Sequence, residues 1–279
     1  MGIHRDGYRQ YTGELLPGGT RFLVLAGAEL GRLWRRKSTR WVLILGALPL
    51  VIIVAAEVGK GLLESTAGGA LPFQLQLLDK LFNTEQVFLA ILAAAAGAGL
   101  IADDRGSNAL ILYLSRPLTP TRYLAAKGIA LGAILSMVYL VPAWILVLVS
   151  ELMAREVDWL GFGARAARAT TVALLHVGFT AAVVLFLSSL ATRARYVGLG
   201  WIAVFFFSDG IASGLQRASE GGAWARYFSI KDLFEDSAAW IMGHGERGGA
   251  AAVLLAMGLV AGVALVLRMR RLQAAAVSG

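Results

Sequence analysis

The sequence predicts an all-α membrane protein with six transmembrane helices, and three observations predict it. The first is composition: 57% of the 279 residues are hydrophobic, mean hydropathy is +0.67, and 16% are charged, against about 25% in an ordinary soluble protein. The second is pattern. The apolar residues fall in runs near the length of about 18 residues that reads as a membrane span, and a backbone in lipid satisfies its own hydrogen bonds only as helix or closed barrel. The third is the distribution of basic residues between alternate connections, taken up below.

Residues 1–19 are polar and Gly-rich without an apolar period, which predicts a flexible cytoplasmic tail. From 20 to 37 a helical period puts Phe22, Ala26, Leu30, Leu33 and Trp34 on one face, with Arg21, Arg32, Arg35 and Arg36 mostly elsewhere. That pattern suits an amphipathic helix in the headgroup layer; a plain extension of the first span fits the same residues. Spans are expected at 41–58, 86–102, 124–150, 170–191, 197–215 and 249–267. The second is rich in Ala and Gly at four-residue spacing (Ala93 with Gly97, Ala95 with Gly99), so it should pack centrally. Pro142 is expected to kink the third.

Two long connections carry helical signals of their own. In 59–84, Pro72 precedes Phe73, Leu77, Leu78 and Leu81, which predicts a short surface helix. In 217–247, Ser229 and Asp232 resemble a capping box ahead of Ile230, Leu233, Phe234, Trp240 and Ile241, with Gly243 placed to close the helix. The chain shows no internal repeat of the kind that marks duplicated transporters. Residues 20–279 thus read as one membrane domain.

Orientation follows from charge. With both termini in the cytoplasm, the inner segments (1–40, 103–127, 193–195 and 268–271) hold 17 of the 26 Lys and Arg, and the acidic residues favour the other side. Lys/Arg bias in short loops sets topology. The same placement accounts for the net charge of +8, so no nucleic-acid partner is implied. The lack of cysteine excludes disulfides and thiolate sites, and no cluster of metal ligands stands out. About 40 mostly polar residues precede the first apolar run, so that run is expected to remain as a span and not to be cleaved.

The connection between the second and third spans is the most informative stretch. Asp103, Asp104 and Arg105 mark the membrane exit, and Gly106, Ser107 and a short apolar run from Asn108 to Ser115 follow. Arg116 comes next, Pro117 and Pro120 break the run, and Arg122 and Lys127 mark the next span. A short amphiphilic helix pinned between two spans suits docking into a partner's groove; a plain interfacial connector fits too.

In Asp104-Arg105-Gly106-Ser107, Leu114-Ser115-Arg116-Pro117-Leu118-Thr119 and Arg122 to Lys127-Gly128, this stretch resembles the signature of ABC-2 type permeases, the membrane subunits of a class of ATP-driven transporters. It departs at Asn108-Ala109, where many relatives have Thr-Leu. The resemblance implies a cytoplasmic coupling loop over 103–123 that meets a partner ATPase. Leu110, Ile111, Leu114 and Pro117 would make the docking contact, Asp103, Asp104, Arg105 and Arg116 the electrostatic register, and Gly106, Ser115 and Leu118 the rest of the motif. The helix over 20–37, with Phe22, Leu30, Leu33 and Trp34, would be the connecting helix on the bilayer. The resemblance further implies a second permease subunit, as homodimer or heterodimer, an exporting role, and a bacterial cytoplasmic membrane. No Gly-x-x-x-x-Gly-Lys-Ser/Thr loop exists, since Lys37-Ser38 follows Arg36. No cofactor is therefore expected on this chain, ATP and Mg being held by the partner.

His176 and Asp209 lie within apolar runs and are candidates for a translocation path, because ionisable groups in lipid should face protein or water. A backbone hydrogen bond for His176 and a helix break with Gly210 for Asp209 are the simpler readings. Three other functions compete for the same pattern: a non-transporting scaffold, an ion-coupled carrier or channel, and an intramembrane protease using Ser213. The last lacks the first Gly of its motif and a second feature marking His176 as base. The orientation is checked with Arg195→Cys in this cysteine-free chain. Membrane-impermeant maleimide should label it in inverted vesicles and leave it unlabelled in intact cells.

Overall fold

The computed structural model describes residues 20–65, 76–109, 119–152, 158–219 and 222–278. Among them there is helix and short connection but no strand. Helix α1 is Arg21–Arg35, α2 is Lys37–Gly46 and α3 is Leu48–Ser65. Helix α4 (Gln76–Leu92) runs through one π-helical turn (Ala93–Gly97) into α5 (Gly99–Gly106). Then come α6 (Pro120–Leu152), α7 (Trp159–Leu190), α8 (Ala194–Ala218), a 3-10 turn (Ala223–Phe228), α9 (Ile230–Met242) and α10 (Gly249–Ser278). Six stretches are long and apolar enough to cross a membrane: Lys37–Ala56, Leu77–Gly106, Pro120–Leu152, Trp159–Leu190, Ala194–Ala218 and Gly249–Ala274. They are spans 1 to 6 below. The expected tail over 1–19 lies outside the described residues.

The helices outrun the apolar runs that announced them. Span 2 is continuous from Leu77, so Leu77, Leu78 and Leu81 belong to it and not to a separate surface helix; Pro72 and Phe73 lie outside the described residues. The sequence signal failed here because Asp79, Lys80, Glu85 and Gln86 interrupt the apolar run, whereas Leu78, Leu81 and Phe82 still bury one face. Span 4 starts at Trp159, not at 170, and is capped by the Asp158 carboxylate accepting from Gly161 N–H. Its early turns carry Arg165 and Arg168, both of them partnered: Arg165 with Glu151, Arg168 with the Met242 carbonyl. Span 1 is broken at Ala47, between α2 and α3. Pro49 follows, and its ring crowds the carbonyl four residues back while offering no N–H.

Span 2 is the central rod. In its most apolar window 72% of the residues are buried, against 22% in spans 1 and 5. Ala93, Ala96 and Gly97 on its π turn are buried, as the small-residue spacing predicted. A Cβ on Gly97 would stand 2.6 Å from Val184 Cγ1 and 3.0 Å from Leu131 Cδ2, so spans 3 and 4 close on a surface with no side chain.

Helix α1 lies along span 3. Its buried stripe is Ala26, Glu29 and Leu33, while Trp34, expected on that stripe, is 49% exposed and Leu30 and Phe22 are half-buried. At the opposite end Ser229 caps α9 by accepting from Asp232 N–H at 3.0 Å. Gly243 ends it in the left-handed region (φ 96°), a conformation open to glycine without strain. Both features were legible in the sequence. Gly97→Leu should cost about 1–3 kcal/mol by overpacking. Thermal unfolding in detergent checks it, with Gly132→Ala, where nothing lies within 4 Å of the added carbon, expected to show no loss.

Candidate functional site

The residues that open the connection between spans 2 and 3 are fastened to three parts of the bundle. Asp104 points inward. Its carboxylate lies 2.8 Å from Lys127 Nζ on span 3 and accepts from the Tyr123 hydroxyl at 2.7 Å. Lys127 also donates to Glu29 of α1 at 2.5 Å, and Arg32, one turn on, pairs with the other Glu29 oxygen at 2.5 Å. The Lys127 side chain is fully buried and those of Glu29 and Asp104 nearly so. The cluster balances two carboxylates with two cations, and the ammonium stands 5.4 Å from the Tyr123 ring centroid. Local sequence explains the geometry: Tyr123 and Lys127 are four apart on one face of α6, and Glu29 sits within the apolar stripe of α1 between Ala26 and Leu33.

Asp103 faces the other way, half-exposed, with Arg36 at 3.7 Å. Arg105 reaches across to span 4 and donates to the carbonyls of Ser189 and Ala191. Arg268 of span 6 donates to the same Ser189 carbonyl at 2.9 Å. Span 4 ends at Leu190, so two guanidinium groups satisfy the carbonyls left open at its C-terminus. Gly106 approaches the backbone beyond it: a Cβ there would stand 2.5 Å from the Thr192 carbonyl oxygen. Asn108, the departure noted in the motif, takes a positive φ of 56° after the helix end, which Asn tolerates better than a β-branched residue does.

Just above, the Ser188 hydroxyl enters the hydrogen-bond ladder of span 2. It accepts from Ala102 N–H at 3.0 Å and Ile101 N–H at 3.1 Å and donates to the Ala98 carbonyl at 2.7 Å. In an unbroken α-helix Ala102 would bond Ala98 directly. A side chain from span 4 thus bridges the ladder one residue beyond the π turn, the kind of interruption at which helices bend.

Of the sequence-predicted residues, Asp103, Asp104, Arg105 and Gly106 come together at this end of the bundle. Asp104 and Arg105 direct their charge inward, to Lys127 and to span 4, and not toward a surface register. Leu110, Ile111, Leu114, Ser115, Arg116, Pro117 and Leu118 lie outside the described residues. Glu29 was missed because a carboxylate on an amphipathic stripe reads as an error in the period; the signal was its place one turn from Ala26 and Leu33. Lys127 is legible in the sequence as the start of a span and as part of the motif, but not as a buried cation.

His176 and Asp209 do not meet. His176 is fully buried. Its Nδ1 bonds the Tyr139 hydroxyl at 2.7 Å, its Nε2 bonds Ser237 Oγ of α9 at 2.8 Å, and its ring stacks on Phe234 at 4.1 Å. Both ring nitrogens are therefore taken by groups other than Ser213, which removes it as the base for that serine. Asp209, 37% exposed, pairs with Lys231 at 3.2 Å and lies 3.4 Å from Ser229 Oγ. Both residues hold the α9 segment, which is further tied by His244 to Asp79 at 2.5 Å and by Arg226 to Asp236 at 3.0 Å. Burial alone would lower the affinity of Arg226 for its proton, yet the hydrogen bond to Asp236 and the charges of Asp232, Asp236 and Glu235 hold it above the usual guanidinium value.

Lys127→Met should destabilise the chain by about 3–5 kcal/mol, because two buried carboxylates lose their shared cation. Adding Glu29→Gln and Asp104→Asn should recover most of that loss, as read by thermal unfolding. Full additivity of the three changes would show that they do not share one cluster.

A family model for ABC-2 family transporter proteins matches residues 25–277. No curated protein matches the chain at a significant level.

Proposed function

The chain belongs to the ABC-2 transporter family and is a multi-pass membrane permease, and from that premise we propose that it is the membrane subunit of an ATP-driven exporter whose ATP and Mg are bound on a separate subunit. In this reading the end that carries α1 faces the cytoplasm of a bacterial inner membrane, and a second permease subunit, identical or related, completes the path. The ATPase grips the segment that follows Gly106.

One observation supports this reading above others: four consecutive residues at the head of that segment are held from three sides of the bundle, by Arg36 after α1, by span 3 and by the end of span 4. Asp103 meets Arg36, Asp104 meets Lys127, Arg105 meets the end of span 4, and Gly106 abuts Thr192. A pull on the following residues is thereby delivered at once to α1 and to spans 2, 3 and 4. Arg268 extends the tie to span 6 through the shared Ser189 carbonyl. A plain connector has no need of such anchoring.

The movement needs two states with different contacts. ATP binding draws the partner subunits together, and the coupling segment follows. The clasp around Lys127 is too costly to open at each cycle, so α1 and the near ends of spans 2 and 3 travel as one body. Span 2 yields where the π turn and the Ser188 hydroxyl interrupt its ladder. The path opens between the two permease subunits.

Co-purification tests the proposal. The intact chain should bring down an ATP-hydrolysing subunit from its native membrane. Leu114→Asp should abolish that capture while leaving insertion unchanged. Undiminished capture by the variant would refute the contact; no ATPase with the intact chain would refute the partnership itself.

A further inference from the structure

The interior holds a carboxyl group that coupling does not use. Glu85 lies on the most buried stripe of α4, in line with Leu78, Leu81, Phe82, Leu89 and Leu92, and like them it is shut off from solvent. Neither of its oxygens has a hydrogen-bond partner among the described residues. The charged groups on neighbouring elements are engaged elsewhere: Asp79 with His244, Lys231 with Asp209, and Asp232, Glu235 and Asp236 with Arg226. Arg40 of α2 donates to the Arg35 carbonyl, and Lys37 opens α2 at the α1 end.

Two buried titratable groups, Tyr139 and His176, lie beyond the Phe82 carbonyl, one turn before Glu85 on α4. The Tyr139 hydroxyl is 3.4 Å from that carbonyl. From this hydroxyl a chain of hydrogen bonds runs in one direction. Ser237 Oγ gives its proton to the Phe234 carbonyl at 3.0 Å, so it accepts from His176 Nε2. A neutral imidazole carrying its proton on Nε2 accepts at Nδ1, and there it takes the Tyr139 proton. Each of these protons is committed. None of these hydrogen bonds reaches Glu85, whose two oxygens have no partner among the described residues. With no water-sized probe able to touch Glu85, a metal ion or an ammonium group has no room beside it. A proton does.

We propose that Glu85 is a proton-binding site of this permease, holding one proton while span 2 is packed against spans 3 and 4 and releasing it to water when they separate. The binding step forms one O–H bond on Glu85 and takes the proton from water; release reverses it. The proposal rests on the permease reading only for the movement that exposes the site.

Infrared spectroscopy of the purified chain in detergent at neutral pH tests it without any ATPase. The intact chain should show a carboxylic-acid C=O band that shifts in D2O and is lost in Glu85→Gln. The band should lie at the high-frequency end of the carboxylic-acid range, because neither Glu85 oxygen has a hydrogen-bond partner among the described residues. Glu85→Gln should also unfold at the same temperature as the intact chain or higher, since the amide copies the neutral acid. An unchanged band in Glu85→Gln, or a clear fall in its unfolding temperature, would overturn the proposal. In the assembled transporter, ATPase activity should lose a pH-dependent step in Glu85→Gln; that last readout alone depends on the partner.

Discussion

The α1 end of this molecule depends on one ammonium group out of reach of water. Lys127 stands between Glu29 and Asp104 at 2.5 and 2.8 Å, and these three residues come from α1, span 3 and span 2. A buried ion cluster of this sort adds little stability compared with apolar packing, but taking away one member leaves charge without compensation. Its value lies in specification. It fixes the register of an amphipathic helix that could otherwise slide along the bilayer surface, and it turns Asp104 inward so that Asp103 and Arg105 splay to either side.

The two ends of the bundle solve the same problem with different chemistry. Helices that stop in or near lipid leave carbonyls without partners. At the α1 end, Arg105 and Arg268 from two other spans supply donors to the end of span 4. At the opposite end Arg168 does the same for α9 through the Met242 carbonyl, and Gly243 closes the turn. Between them the His176 ring, stacked on Phe234 and bonded to Tyr139 and Ser237, pins α9 to spans 3 and 4. Guanidinium groups thus serve as caps at both ends, and the imidazole as the fastening in the middle.

Much of the architecture was readable from residue patterns. Six apolar runs gave six spans, the Ala and Gly spacing of 93–99 marked the central rod, and Ser229 and Gly243 gave the limits of α9. What the sequence hid follows one rule. Wherever a polar residue finds its partner far along the chain, a local window counts it as a break. Asp79, paired with His244, cut span 2 short in this way, Arg165 and Arg168 cut span 4 short, and Glu29 spoiled the stripe of α1. In the candidate site the residue types of Asp103 to Gly106 were legible. Their targets were not, because Lys127, Ser189 and Thr192 are distant in sequence and pairing depends on how the helices cross.

The spans also differ in length. Span 3 is an unbroken helix of 33 residues and span 4 one of 32, about 50 Å each at 1.5 Å per residue. The hydrocarbon layer is about 30 Å thick, so both protrude. A rod of about 50 Å swung by about 5° about one end displaces its far tip sideways by roughly 4 Å, close to half of the ~8–10 Å between packed helix axes. Length therefore gives this protein leverage: a slight tilt at one end of either rod becomes a sideways step at the other.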